Sequence, residues 1–266
     1  LPQSGAHLVM EREDGIDVRA EIAAAAARGS VDRRQIADAI NTMRAARPRI
    51  HAIVAPVAQP LVANIAAALS VDISMTVDAT DIRAMVASSD AFLVNLGMLD
   101  RERREGAMAA VASGLPFVLD PVKVDRTGDR LSFALALIEA QPRIIKGNIG
   151  EMQALGDVAS DAVRVTTGAE DEIVAEGRHV LVANDTPILS RVIATGCATG
   201  MLMTAISAVE PDSFVAAVSG AALMSVAGEV AAETAKQPGS FAVALIDALA
   251  ELNGEEIARM VDLGDG

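Results

Sequence analysis

The sequence has no tryptophan and no tyrosine, and only 2% of its residues are aromatic. It therefore offers no platform on which unstacked bases could stack. A single cysteine excludes a disulfide framework and suits a reducing compartment. Positive charge is scarce too: 22 Lys and Arg stand against 36 Asp and Glu, for a net charge of −14. That surface repels phosphate backbones, so nucleic acid is not an expected partner, and a phosphorylated ligand would need cations placed locally. No basic segment leading into a long apolar run opens the chain, so no leader is expected. The apolar stretches are expected to be broken by Gly, Asp or Glu before about 18 residues, so no membrane span is expected. The protein reads as cytoplasmic.

Hydrophobic residues are plentiful, at 52% of 266 residues. With so few aromatics the core must be built from Ala, Val, Leu, Ile and Met, whose small side chains let helices and sheet approach closely. The length suits one large α/β domain or two small ones. We see no linker, low-complexity block or internal repeat. Residues 1–30 read as an N-terminal extension carrying a helix over 16–28, and residues 31–266 as a single domain. Ser30 is placed to cap a helix over 31–46 that Pro48 stops.

An alternation follows. Strands are expected at 50–55, 73–77, 91–97, 116–121 and 143–148, with helices at 57–70, 81–88, 100–113 and 131–140 and a polar loop reaching to Arg130. The strands are nearly all apolar, as in a parallel sheet with helices on both faces. Past residue 160, AVRVTTG, DEIVAEG, HVLVAND and PILSRVI are closely spaced strand signals that suggest an antiparallel edge. Helices at 197–209, 212–235 and 240–252 complete the chain.

Ligands of open α/β sheets bind beyond the carboxyl ends of the strands. There the sequence places Asn95-Leu96-Gly97, Asp120-Pro121, Lys146-Gly147-Asn148 with Glu151 a turn later, and Thr195-Gly196-Cys197. The last opens a long apolar helix, whose free N-terminal amides suit an anion. Cys197 at that helix start is expected to have a lowered thiol pKa. His51 is the histidine that could in principle approach it. Asn148 and Glu151 could share a hydrated Mg²⁺, or form a helix-capping pair. The HEXXH, CxxC and GxxxxGK[ST] patterns are absent.

Several motifs also fall in one order: P-R-I-H-A-I (48–53), A-N (63–64), Ser74-Met75, F-L-V-N-L-G (92–97), G-L-P-F-V-L-D-P-V (114–122), K-G-N-I-G-E (146–151), T-T-G (166–168), T-G-C (195–197), A-G-E-V-A (227–231) and P-G-S-F (238–241). In this the chain from Pro48 to Leu252 resembles the hydroxyethylthiazole kinases, of the ribokinase-like fold. The resemblance implies an ATP-dependent kinase of 4-methyl-5-(2-hydroxyethyl)thiazole in thiamine salvage, with Mg²⁺ as cofactor and a homotrimeric assembly whose sites lie at subunit interfaces; the alternatives are a kinase of another small alcohol and a catalytically weak binding or structural oligomer of the same fold. By that resemblance Cys197 is the catalytic-position residue, and Arg130, Thr167 and Asn148 meet the nucleotide. Met75, Ala194 and Asn64 meet the substrate, Thr195 and Gly196 form the anion hole, and Glu151 organises the metal. The chain departs from the family pattern in four places. Ile53-Val54-Ala55 replaces I-T-N, Lys123 replaces the Gly after D-P-V, Ala194 replaces the first Gly of G-x-G-C, and the stretch between Glu151 and T-T-G is short. An alanine at 194 is strained if that position needs a positive φ.

Overall fold

The structure, a computed structural model, describes residues 31–78 and 80–265. The extension and its expected helix at 16–28 lie outside the described residues. The elements run α1 (Arg33–Ala46), β1 (Arg49–Ile53), α2 (Gln59–Ala68), β2 (Asp72–Ser74), α3 (Ile82–Ala87), β3 (Ala91–Asn95), α4 (Arg101–Val111), β4 (Phe117–Asp120), α5 (Gly128–Ile138), β5 (Ile144–Asn148), α6 (Ile149–Leu155), β6 (Val163–Thr167), β7 (Asp171–Ala175), β8 (Arg178–Val182), α7 (Thr195–Ser207), α8 (Ser213–Thr234), α9 (Pro238–Glu251), α10 (Gly254–Met260) and β9 (Leu263–Asp265).

These strands form one nine-stranded sheet in the order β2-β1-β3-β4-β5-β6-β7-β8-β9. β2 to β6 pair in parallel, and β6 to β9 pair antiparallel. The mostly parallel α/β sheet and its antiparallel edge are thus as the sequence implies. Each face of the sheet carries its own apolar core. The larger joins residues of α1, α2 and α7–α10 to alternate strand residues such as Leu93, Val118 and Ile144. The smaller joins α3–α6 to the opposite alternation, Phe92, Leu119 and Ile145 among it. This period-two division explains why every residue of β3 is buried. Phe92 and Phe117, from neighbouring strands, stack at 5.1 Å.

Four local expectations are corrected. Asp32, not Ser30, caps α1, because its carboxylate reaches the Arg34 amide and it closes a capping box with Gln35. The loop to Arg130 is instead a 3-10 turn over Val124–Arg126 followed by α5, which Thr127 caps by accepting from the Arg130 amide. PILSRVI is not a strand but a 3-10 turn over Pro187–Arg191, held by Leu189 N–H to Thr186 O at 2.9 Å. Beyond the expected helices, α10 and the short β9 close the antiparallel edge.

The stretch that becomes α8 is interrupted only by Ser219, Gly220, Ser225 and Gly228 between Phe214 and its first charge, Glu229. It is apolar and long enough to cross a membrane, so composition alone does not exclude a span; yet 89% of its most apolar window is buried in the protein. Arg143 ties its start to the end of α7, donating to Ser213 Oγ at 2.9 Å and to the Ser207 carbonyl at 2.8 Å.

Candidate active site

Strand register sets the site. Asn95 lies beside Asp120 across β3 and β4, and Asn148 beside Thr167 across β5 and β6. All four stand at carboxyl ends of parallel strands. Asn95 is fully buried; its Nδ2 donates to Asp120 Oδ2 at 2.6 Å and to Cys197 Sγ at 3.2 Å. Its Oδ1 accepts from the Gly97 amide, which holds the turn after β3. Lys146 Nζ sits 3.4 Å from both Asp120 oxygens and donates to the Gly196 carbonyl at 3.0 Å. Burial disfavours both charges of this pair. For Lys146 the attraction of Asp120, with Glu151 adding to it, outweighs burial and raises its pKa, so the ammonium stays charged.

The helix α7 begins at the expected turn. Ala198 N–H makes the first backbone bond back, to Ala194 O. The amides of Thr195, Gly196 and Cys197 thus precede any intrahelical acceptor. Thr195 Oγ is turned back onto the Leu189 and Val192 carbonyls, leaving the amides to meet a ligand. Ala194 has φ 76°, in the left-handed region, so the strain the sequence analysis raised is present. We predict that Ala194→Gly stabilises the protein by about 0.5–1 kcal/mol, the relief of this strain exceeding the added flexibility of the unfolded chain. Urea denaturation measures it, and an unchanged or lowered midpoint would show that the turn carries no strain.

Cys197 overturns the expected lowered thiol pKa. Burial first, then the nearby Asp120 charge, pushes it up to about 11, despite Lys146, Asn95 and the helix start. At neutral pH it is a thiol, neither a nucleophile nor a base. His51 gives it no help, since its two ring nitrogens are engaged by Ser74 Oγ at 2.7 Å and Thr76 O at 2.9 Å.

Glu151 and Asn148 form a capping box: Asn148 Oδ1 accepts from the Glu151 amide, and Glu151 Oε2 accepts from the Asn148 amide. Glu151 does more than cap. Its Oε1 accepts from the Lys123 amide at 2.7 Å, clamping the loop after β4 to the start of α6. Lys123 itself sits at φ 58°, a conformation suited to the glycine it replaces. Arg130 donates to the Leu96 carbonyl at 2.5 Å and to the Val122 carbonyl at 3.2 Å, bracing the loops after β3 and β4. Among the described residues no group of three or more His, Cys, Asp or Glu is placed to hold a metal ion by itself. Buried Asp120 and Glu151 are near enough that Glu151 raises the Asp120 pKa, though burial is the larger cause. Two carboxylates, each with lone pairs beyond its present bonds, fit a hydrated Mg²⁺ completed by phosphate oxygens.

A groove of about 480 Å³ joins the Thr167-Gly168 turn to Thr195 and Gly196, with Asn184 and Ser225 on its far wall. Thr167 Oγ donates to the Gly147 carbonyl at 3.3 Å, which fixes that turn over the end of β5. Met75, just past β2, is half-buried against the larger core, and Asn64 is exposed on α2; neither has a hydrogen bond into the strand-end cluster. A neighbouring groove of about 530 Å³, beside Arg191 and Lys236, contains none of the strand-end residues.

Asp171, at the start of β7, also lines the 480 Å³ groove and was not singled out by the sequence. Its Oδ1 accepts from the Gly168 amide at 3.0 Å, yet burial raises its pKa to about 6 from 3.8. A folded pKa above the unfolded one means stability that is complete below pH 3.8 and lost as pH rises through about 6. Asp171→Asn is therefore expected to match the parent near pH 4 and exceed it by about 1–3 kcal/mol at pH 7. Equal stability differences at both pH values in thermal or urea melts would refute this.

The sequence pattern of the hydroxyethylthiazole kinase family matches residues 40–162 and 157–255. The chain is 40% identical over 225 residues to a probable hydroxyethylthiazole kinase of Agrobacterium fabrum, covering 83% of this chain and 91% of that one. It is 36% identical over 250 residues to the hydroxyethylthiazole kinase of Akkermansia muciniphila, covering 83% and 92%. The solved hydroxyethylthiazole kinase protein of Pyrococcus horikoshii superposes with a TM-score of 0.81 at 29% identity, over 88% of this chain and 99% of that one. A ribokinase-like superfamily protein of Enterococcus faecalis, 12% identical with a TM-score of 0.59 over 79% and 89% of the two chains, shares the fold.

Proposed function

The chain belongs to the hydroxyethylthiazole kinase family, whose members are small-molecule kinases, and on that premise we propose that it transfers the γ-phosphoryl of ATP to the primary hydroxyl of 4-methyl-5-(2-hydroxyethyl)thiazole. The observation that carries this reading is the groove running from the Thr167-Gly168 turn to the N-terminal amides of α7. It offers a nucleotide a backbone turn at one end and an anion site at the other, in a protein otherwise strongly acidic.

In the step, an O–P bond forms from the alcohol oxygen as the bond to the β-phosphate bridging oxygen breaks, and ADP leaves with that electron pair. The alcohol proton passes to solvent. Such transfers depend on positioning and charge stabilisation more than on a strong base. The Thr195, Gly196 and Cys197 amides cradle the phosphoryl oxygens. The neutral Cys197 thiol orients the hydroxyl. Glu151, with Asp120 beside it, would hold hydrated Mg²⁺, which neutralises phosphate charge when bound. Asn148, Thr167 and Arg130 border the nucleotide; Arg130 keeps two loops in place and has further N–H groups for phosphate. Met75, Ala194 and Asn64 are assigned to the alcohol.

A trimer with sites between subunits fits the exposure of the large apolar residues Val57, Met98 and Ile193 on loops and turns and of Ile149 at the first position of α6. We place the enzyme in the cytoplasm and in thiamine salvage.

A coupled ADP-release assay with ATP, Mg²⁺ and hydroxyethylthiazole tests the proposal. Turnover that disappears when the thiazole is omitted is the expected result. ATP binding without thiazole-dependent turnover would overturn the substrate, and no ATP binding would overturn the kinase reading of this groove.

A further inference from the structure

Lys146 is the one lysine buried among the described residues, 4% exposed, and none of the roles above uses it directly. Its position is costly in two ways. An ammonium is out of water, and it lies against the first turn of a helix, whose dipole presents positive charge there. A buried ion pair with Asp120 does not explain this on stability grounds, since such pairs contribute little over apolar residues of the same shape. The contact that distinguishes Lys146 is with the Gly196 carbonyl, at 3.0 Å. In a planar trans peptide the C=O and N–H point in opposite directions. Holding the Gly196 carbonyl therefore aims the N–H of Cys197, which shares that peptide unit. Gly196 makes room for the approach, because a Cβ there would stand 3.3 Å from Nζ. Asp120 in turn is held by Asn95, which also reaches Cys197 Sγ. The chain of contacts runs from the end of β3 through β4 and β5 to one peptide plane of α7.

We propose that Lys146 is a positioning residue for phosphoryl transfer: its ammonium, braced by Asp120, fixes the Gly196–Cys197 peptide so that the Cys197 amide meets the transferring phosphoryl. This rests on the reading of the α7 amides as the anion site.

The sequence holds a single cysteine, so selective ¹⁵N-cysteine labelling gives one amide resonance, that of Cys197. In Lys146→Met that resonance shifts, because the peptide plane that carries it is no longer held. In the same variant kcat falls by about 100-fold while the KM for the thiazole changes by no more than about threefold. Lys146→Arg, which keeps the charge and a donor, recovers most of kcat. A folded Lys146→Met with an unmoved Cys197 resonance, or with kcat within about threefold of the parent, overturns the proposal. If Lys146→Met does not fold, Gly196→Ala, which presses on Nζ, is read the same way. The labelled amide decides the matter even if the parent does not turn over the thiazole, so failure of the substrate reading and failure of this inference are separable.

Discussion

Glu151→Ala is expected to lower kcat by about 100-fold or more and to destabilise the protein by about 2 kcal/mol. One carboxylate does three things here. Oε2 closes the cap of α6, Oε1 holds the Lys123 amide of the loop after β4, and by our proposal the remaining lone pairs would serve hydrated Mg²⁺. Removing it orphans two amides and frees the loop that Arg130 also braces. Steady-state kinetics across a Mg²⁺ titration and urea denaturation read the two parts separately. A variant that is less stable but turns over at the parent rate would take Glu151 out of the site and leave it a structural clamp. Glu151→Gln refines the result: its amide nitrogen donates and cannot accept, so only one of the two backbone donors keeps its partner, and it should fail partly in stability and almost fully in Mg²⁺ response.

Gly220→Val should destabilise the protein by about 3 kcal/mol or more. Gly220 lies where α8 crosses α7, and even a methyl there would come within 2.6 Å of Met203 Cγ and 3.0 Å of the Met203 backbone nitrogen. The side-chain contact could yield, but the backbone contact requires the helices to part. Because the amides proposed as the anion hole lie at the other end of α7, the variant should also lose activity when assayed well below its melting temperature. A melting temperature within a few degrees of the parent would show that the crossing is looser than its geometry implies. The close approach was readable in outline from the abundance of Ala and Gly and the scarcity of aromatics; the contact at Met203 was not.

The strand-end cluster of the candidate site was legible because in a parallel sheet polar residues appear where strands end. Asn95, Asp120, Lys146 and Thr195-Gly196-Cys197 each follow an apolar run, and the structure gathers them. What escaped depends on relations between distant segments. That Lys146 meets both Asp120 and Gly196 needs the order and register of β4 and β5. The raised pKa of Cys197 needs the burial and the facing carboxylate that outweigh its place at a helix start. Asp171 looks like any strand-opening acid until the groove forms beside it. PILSRVI has a strand's composition, and only the local hydrogen bonds of its 3-10 turn distinguish it. β9 is three residues long and exists because β8 offers it an edge.

Helix α8 has a further consequence, one that concerns synthesis. Its sequence has the hydropathy of a segment that a membrane-insertion apparatus would accept. In the finished protein it is enclosed by α1, α7, α9, α10 and strands β6 to β8. Of these, α1, α7 and the three strands leave the ribosome before it, whereas α9 and α10 follow. The nascent chain thus has strands β6 to β8 and two helices, α1 and α7, ready to receive α8 as it emerges, and its fate turns on docking there before anything else captures it. Chain order, as well as burial, bears on whether this apolar helix ends up packed inside the protein.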